Sequence, residues 1–310
     1  MKTRVSGYAS TLTAVLLTLP ALVFAQATMT YAVQADWPVG GEDAPYYRKG
    51  EVAGVAEDAQ GRVYMCHPTR LPVLVFDRDG NYLNAWGGGG ELMEPHSLRI
   101  DRDGNVWIPD IRLHQVKKFS PNGTLLLTIG TKKKRGRVQA TRLNGPTDVA
   151  FGTNGDVYIS DGYGNSRVVR LSHDGTYLGE WGSHGSEPGQ FRLPHSIAVD
   201  PQGLVYVADR SNRRIQVFTP DGTFVRQWTT IDAPWGLSIR ADGKIFVGNG
   251  FPYTVTVYDL QGQLLAHWGQ KSKGRPVGAF ASVHMLSADS QGNLYTAELA
   301  GHRVQKFSIR

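Results

Sequence analysis

Three histidines stand in near-identical settings: His96 in "EPHSLRID" (94–101), His195 in "LPHSIAVD" (193–200) and His284 in "SVHMLSAD" (282–289). Neutral imidazoles that meet at one point are the ligand set of a catalytic zinc, which keeps a fourth position for water or substrate. Other divalent transition metals accept the same nitrogens. The alternative is a column of polar residues, each hydrogen-bonded to backbone or water. Side chains so far apart along a chain meet only if a repeated architecture brings them together.

Such a repeat is present. A turn glycine recurs as Gly61 in "DAQGRVYMCH", Gly104 in "DRDGNVWIPD", Gly155 in "GTNGDVYISD", Gly203 in "DPQGLVYVAD", Gly243 in "RADGKIFVGN" and Gly292 in "DSQGNLYTAE", the period of propellers and solenoids. Each unit reads as strand, Gly turn, alternating strand, loop, strand, Asp/Asn-Gly turn and a final strand, with no helical periodicity. Four short antiparallel strands make one blade, so the fold class is all-β, a six-bladed β-propeller. The sixth unit stops one strand short at "HRVQKFSIR", while "MTYAVQADW" (29–37) resembles a fourth strand. An N-terminal strand is therefore expected to complete the last blade and remove an exposed edge. Trp37, Trp86, Trp181, Trp228 and Trp268 recur at fourth-strand ends and are expected to pack between blades rather than bind a ligand.

Counting back from the turn glycines, one column near the start of each first strand holds Ala53, His96, Thr147, His195, Trp235 and His284. First strands line the central channel, and alternate blades of six lie about 120° apart, so the histidines are expected to converge on the axis. The same mouth receives the ends of the second strands, His67, Asp110, Asp161, Asp209, Asn249 and Glu298. These acids read mainly as caps for loop amides, with Asp209 also able to orient a metal-bound histidine. Among the loop residues that follow, Tyr163 could act as a base beside a divalent cation. Arg210 and Arg70 could clamp a substrate carboxylate, and Arg112 lies in the same set. The connections "TKKKRGRVQATRLN", "SHGSEPGQFR" and "GQKSKGRPVGAFAS" open at this mouth and shape access to it.

Residues 1–25 carry a basic start, a short apolar run and small residues near Ala25, the parts of a cleavable secretory signal. The expected organisation is a signal over 1–25 and one propeller domain over 26–310, secreted or periplasmic and not embedded in a membrane. Removing Lys2 and Arg4 leaves 31 basic against 27 acidic side chains, a mild excess of +4. The basic run "TKKKRGR" (131–137) reads as a solvated loop, and no nucleic-acid partner is expected. With Cys66 the one cysteine, no internal disulfide can form.

The repeats resemble NHL repeats, and "PHSL", "PTDVAF", "SDGYGNSRVV" and "PHSIAVD" followed by "VADR" are similar to peptidyl-α-hydroxyglycine α-amidating lyase across nearly the whole mature chain. The resemblance implies a zinc held by His96, His195 and His284, with Tyr163 removing the substrate hydroxyl proton and Arg210 recognising its carboxylate. The products would be glyoxylate and an amide. It also implies a structural calcium associated with an aspartate after the third histidine. That position is Met285 here, which puts calcium in doubt. Val283 replaces the proline before that histidine, and the arginine expected at the end of blade one's second strand falls near Pro68, with Arg70 two residues on.

Two functions remain in competition: a zinc-dependent carbon–nitrogen lyase acting on a small-molecule or peptide substrate with a carboxylate, and a non-catalytic NHL propeller whose loop face binds a protein or cell-envelope partner. A lactonase-type hydrolase would need a carboxylate-rich calcium centre, which the histidine column disfavours.

Overall fold

The computed structural model describes residues 29, 31–40, 51–138, 142–229, 231–270 and 276–309, Ile309 by its backbone alone. The signal expected over residues 1–25 lies outside the described residues, as do parts of the first and third of the long connections. No helix among the described residues is long and apolar enough to cross a membrane.

Six four-stranded antiparallel sheets stand around one axis, as the repeats predict. Blade four is representative, with strands Pro194–Val199, Val205–Asp209, Arg214–Phe218 and Phe224–Trp228. Its second strand, "VYVAD", is buried throughout, whereas its fourth, "FVRQW", is only half-buried. An inner strand has a neighbouring blade on each face and so reads as a continuous apolar run; the rim strand has one face in water.

The turns between first and second strand in blades one, two and four share one device. In blade four, the Asp200 carboxylate accepts the amides of Gln202 (2.9 Å) and Leu204 (2.9 Å) and the Tyr206 hydroxyl (3.0 Å). Gly203 takes the left-handed φ of +90° that this turn requires. Asp58 with Tyr64 and Asp101 with Trp107 rebuild it in blades one and two.

The strand Tyr31–Gln34 pairs antiparallel with Arg303–Ile309, from Tyr31 opposite Ile309 to Gln34 opposite Lys306. Blade six is thus completed from the N-terminal side of the chain. Trp37 then enters a core shared by blades six and one, its indole donating to the Arg78 carbonyl (3.2 Å) beside Phe76 and Tyr295. The other recurrent tryptophans are packing residues as expected: Trp86, Trp181 and Trp228 lie over the second-turn glycines Gly123, Gly222 and Gly262 of the next blade, and Trp268 stacks on Tyr31.

One of these contacts yields a stability prediction. A Cβ at Gly222 would stand 2.6 Å from the Trp181 ring, at a φ of +90°. Left-handed backbone costs an L-residue about 1–2 kcal/mol and overpacking about 1–3 kcal/mol. Urea denaturation of Gly222→Ala is therefore expected to show a loss of about 3 kcal/mol. Gly179→Ala, where nothing lies within 4 Å of the new methyl, serves as the near-neutral control.

Candidate metal centre

The column positions owe their direction to an irregularity in the first strands. Pairing runs from Pro194 opposite Asp209 to Ser196 opposite Ala208, so His195 is the extra residue of a β-bulge. His284 stands in the same relation between Val283 and Met285, and Thr147 between Pro146 and Asp148. In blade two the chain bridges from Pro95 to Asp110 and resumes at Arg99 opposite Trp107, with His96 between. A bulge turns one side chain out of the pleat and tolerates a proline beside it. That is why proline precedes His96 and His195.

All three histidines are buried, and a ring nitrogen from each lies within 4.8 Å of the other two. Ring centroids are 4.7 Å apart for His96–His195, 4.6 Å for His96–His284 and 5.0 Å for His195–His284. Each ring is held by the next blade. His96 Nδ1 meets the Thr147 carbonyl, His195 Nδ1 that of Trp235, and His284 Nδ1 that of Ala53, each at 2.7 Å. A carbonyl only accepts, so Nδ1 carries the hydrogen and Nε2 is the unprotonated nitrogen, the tautomer a metal ligand needs. Burial lowers the His96 imidazole to about 4 and holds His195 and His284 well below the ordinary histidine range; His195 also feels both neighbouring rings. All three are neutral at pH 7. His195 Nε2 is buried without a hydrogen-bond partner, a cost that coordination would remove. The donor set therefore fits a divalent transition metal.

Tyr163 closes one side of this centre. Its hydroxyl is 3.0 Å from His96 Nε2 and its ring stands edge-on to His96 and His195. Burial raises the hydroxyl above its ordinary value and the Arg210 guanidinium opposes that shift. Arg210 stacks on Trp235, 4.4 Å from a ring centroid, and its charge also reaches all three histidines. Trp235 in turn touches His195 and His284. Of the sequence candidates, Tyr163 and Arg210 are thus gathered at the histidines. Arg70 stands exposed in the loop after Val63–Cys66, and its guanidinium has no ion-pair or hydrogen-bond partner among the described residues. Beyond Tyr163 opens a cavity of about 400 Å³ lined by Tyr163, Glu94, Arg112, His114, Arg135 and Asn144.

The second-strand acids cap loops. Asp110 accepts the amides of Met93, Glu94 and Leu113, Asp161 that of Asn144, and Glu298 that of Ala281. Asp209 Oδ1 accepts the Arg192 amide (2.9 Å), and its Oδ2 accepts Arg214 Nε (2.9 Å) and the Asn212 side-chain amide (2.7 Å). It does not orient His195, whose Nδ1 goes to the Trp235 carbonyl. The orienting groups, backbone carbonyls of Ala53, Thr147 and Trp235, left no trace in residue type. Trp235 was visible only as a member of the column. Cys66 is fully buried and burial raises its thiol strongly, which makes it an unreactive core residue.

Residues 143–171 and 191–218, covering most of blades three and four, match the NHL repeat. The chain is 31% identical to peptidylglycine alpha-amidating monooxygenase of Rattus norvegicus over 89% of its own length and 32% of that protein. It thus spans about a third of that relative. It is 33% identical to a probable peptidyl-alpha-hydroxyglycine alpha-amidating lyase of Caenorhabditis elegans, covering 76% of this chain and 70% of that one. NHL repeat-containing protein 3 of Homo sapiens is 31% identical, over 89% and 84%. Among solved structures, a streptogramin B lyase aligns with a TM-score of 0.63 at 14% identity, covering 92% of this chain and 99% of that one. A gluconolactonase of Xanthomonas campestris aligns at 0.64 and 18%, over 86% and 88%. Both share the propeller fold.

Proposed function

Because the chain belongs to the NHL-repeat propeller family that includes the peptidyl-alpha-hydroxyglycine alpha-amidating lyases, we propose that it is a zinc-dependent lyase of that type. The observation that supports this most directly is the convergence of three neutral, carbonyl-oriented histidines on one point with a tyrosine hydroxyl 3.0 Å from one of them. His96, His195 and His284 would hold the zinc, which supplies Lewis-acid stabilisation of negative charge developing on a substrate oxygen.

The chain's own groups account for the rest. Arg210, its face fixed against Trp235, offers parallel N–H donors to the substrate carboxylate. Tyr163, as the phenolate that a cation held by the histidines and the Arg210 guanidinium would favour, takes the proton of the α-hydroxyl; the C–O bond becomes a carbonyl as the C–N bond breaks, and the electron pair leaves on the amide nitrogen. The same phenol returns its proton to that nitrogen, so an amide and glyoxylate depart with atoms and charge balanced. Arg210 stands toward Trp235, and the cavity past Tyr163 receives the acyl part of the substrate.

The relative named only for its repeats keeps the second reading in play, a propeller that binds a partner through its loop face. Metal analysis followed by a glyoxylate assay separates the two. The lyase reading expects about one zinc per chain and glyoxylate released from a peptidyl-α-hydroxyglycine. A metal-free protein supports the binding module, and a zinc protein without turnover overturns the lyase.

A further inference from the structure

Below the histidines, on the channel axis, lies a second polar centre that the reaction does not use. Arg99 belongs to the first strand of blade two, three residues after His96, and its side chain is only 14% exposed. Its guanidinium reaches four other blades. Nε and Nη2 hold the two oxygens of Asp148 in blade three at 2.9 and 2.6 Å. Nη2 also meets Ser196 Oγ in blade four (3.3 Å) and the Leu237 carbonyl in blade five (2.9 Å). Nη1 donates to the Leu286 carbonyl in blade six at 3.1 Å. Asp148, fully buried, also accepts the Ser196 hydroxyl at 2.6 Å, and Ser196 Oγ accepts the Leu237 amide at 3.0 Å.

These partners adjoin the histidine centre. Asp148 follows Thr147, whose carbonyl holds His96. Ser196 follows His195, Leu237 lies two residues beyond the Trp235 carbonyl that holds His195, and Leu286 lies two beyond His284. A carboxylate and two carbonyls converging on an axis are oxygen donors of the kind that hard cations take. In this chain a guanidinium already satisfies them. The residue at the position where the resemblance expects a calcium-associated aspartate is Met285, and its sulfur faces the same Nη2 at 4.0 Å. A calcium ion beside Arg99 would meet a like charge and oxygens already in use, so calcium does not fit here.

We propose that Arg99 is the resident cation of the channel, a positioning residue that ties together the segments carrying His195 and His284 and the carbonyl that orients His96, so that fold and metal centre are independent of calcium. The part concerning the metal rests on the zinc reading of the three histidines; the part concerning calcium does not.

The test uses the purified full chain with its zinc. Its melting temperature is expected to be the same in calcium-depleted buffer and in calcium on the order of a millimolar, enough for extracellular-type sites; a rise with calcium overturns the proposal. Arg99→Lys keeps the charge and loses the fork. Chelator competition is expected to find its zinc affinity lowered by about 10–100-fold, the effect of losing an outer partner of a metal site. Unchanged affinity in a folded Arg99→Lys protein removes the positioning role. The double variant Arg99→Ala/Met285→Asp is expected to melt higher as calcium is added, the exchange of one cation for another; no calcium response from a folded double variant counts against the cage. If the parent chain holds no zinc, the zinc reading fails while the calcium comparisons still decide the role of Arg99.

Discussion

His195→Ala is expected to abolish stable metal binding, leaving well under a tenth of an equivalent after dialysis where the parent chain retains about one. His195 is one of three ring donors within 4.8 Å of one another, and its removal leaves two, too few for the tetrahedral arrangement with one open position. The loss should exceed the 10–100-fold that an outer partner contributes. It should carry catalysis with it, since the Lewis-acid stabilisation of the substrate oxygen would go with the metal. The substitution also takes away the donor to the Trp235 carbonyl, so the melting temperature must be read beside the metal content. A variant that melts near the parent and holds no ion places the ligand role on His195 itself. A variant that keeps a full equivalent of zinc overturns the three-histidine centre.

Tyr163→Phe should separate chemistry from binding. The phenyl ring keeps the edge-on contact with His96, at 5.2 Å and 84°, and the Tyr163 ring abuts Gly145, so only the hydroxyl is lost. Zinc content and melting temperature are expected to stay unchanged. Glyoxylate release is expected to fall by about 10²–10⁴-fold, the range for losing a general acid–base group, with the loss in kcat and not KM. Retained turnover would assign proton transfer to some other group.

The propeller and its closure were legible in the sequence because each blade must turn twice, and a turn of this kind leaves a glycine at a fixed offset. The histidine column was legible for the same reason: a repeat supplies its own ruler, and alternate occupancy around six blades is a statement about angle. What the sequence concealed is carried by backbone. The bulges that aim His195 and His284 at the axis appear only as pairing offsets, and the carbonyls of Ala53, Thr147 and Trp235 that fix the tautomers belong to residues of unrelated type. Asp209 looked suited to orient a histidine, yet its carboxylate is consumed by its own loop. Arg99 sits in "SLRID" like any polar residue of a strand; only coordinates reveal that it crosses the channel. Arg70 shows the converse, a residue of suitable type whose loop leaves it exposed and without a side-chain partner among the described residues.

The pairing of Tyr31–Gln34 with Arg303–Ile309 also imposes an order on biosynthesis. Gln34 must find Ser308, a neighbour 274 positions downstream, so no intermediate whose synthesis stops short of that strand can possess the finished ring. Until Arg303–Ile309 is made, the strand Tyr31–Gln34 lacks its partner, with main-chain groups available to any passing strand. The final union closes a very long loop, the kind of non-local step that slows folding. For this chain, the exposure of that strand thus lasts from its own emergence to its capture by Arg303–Ile309.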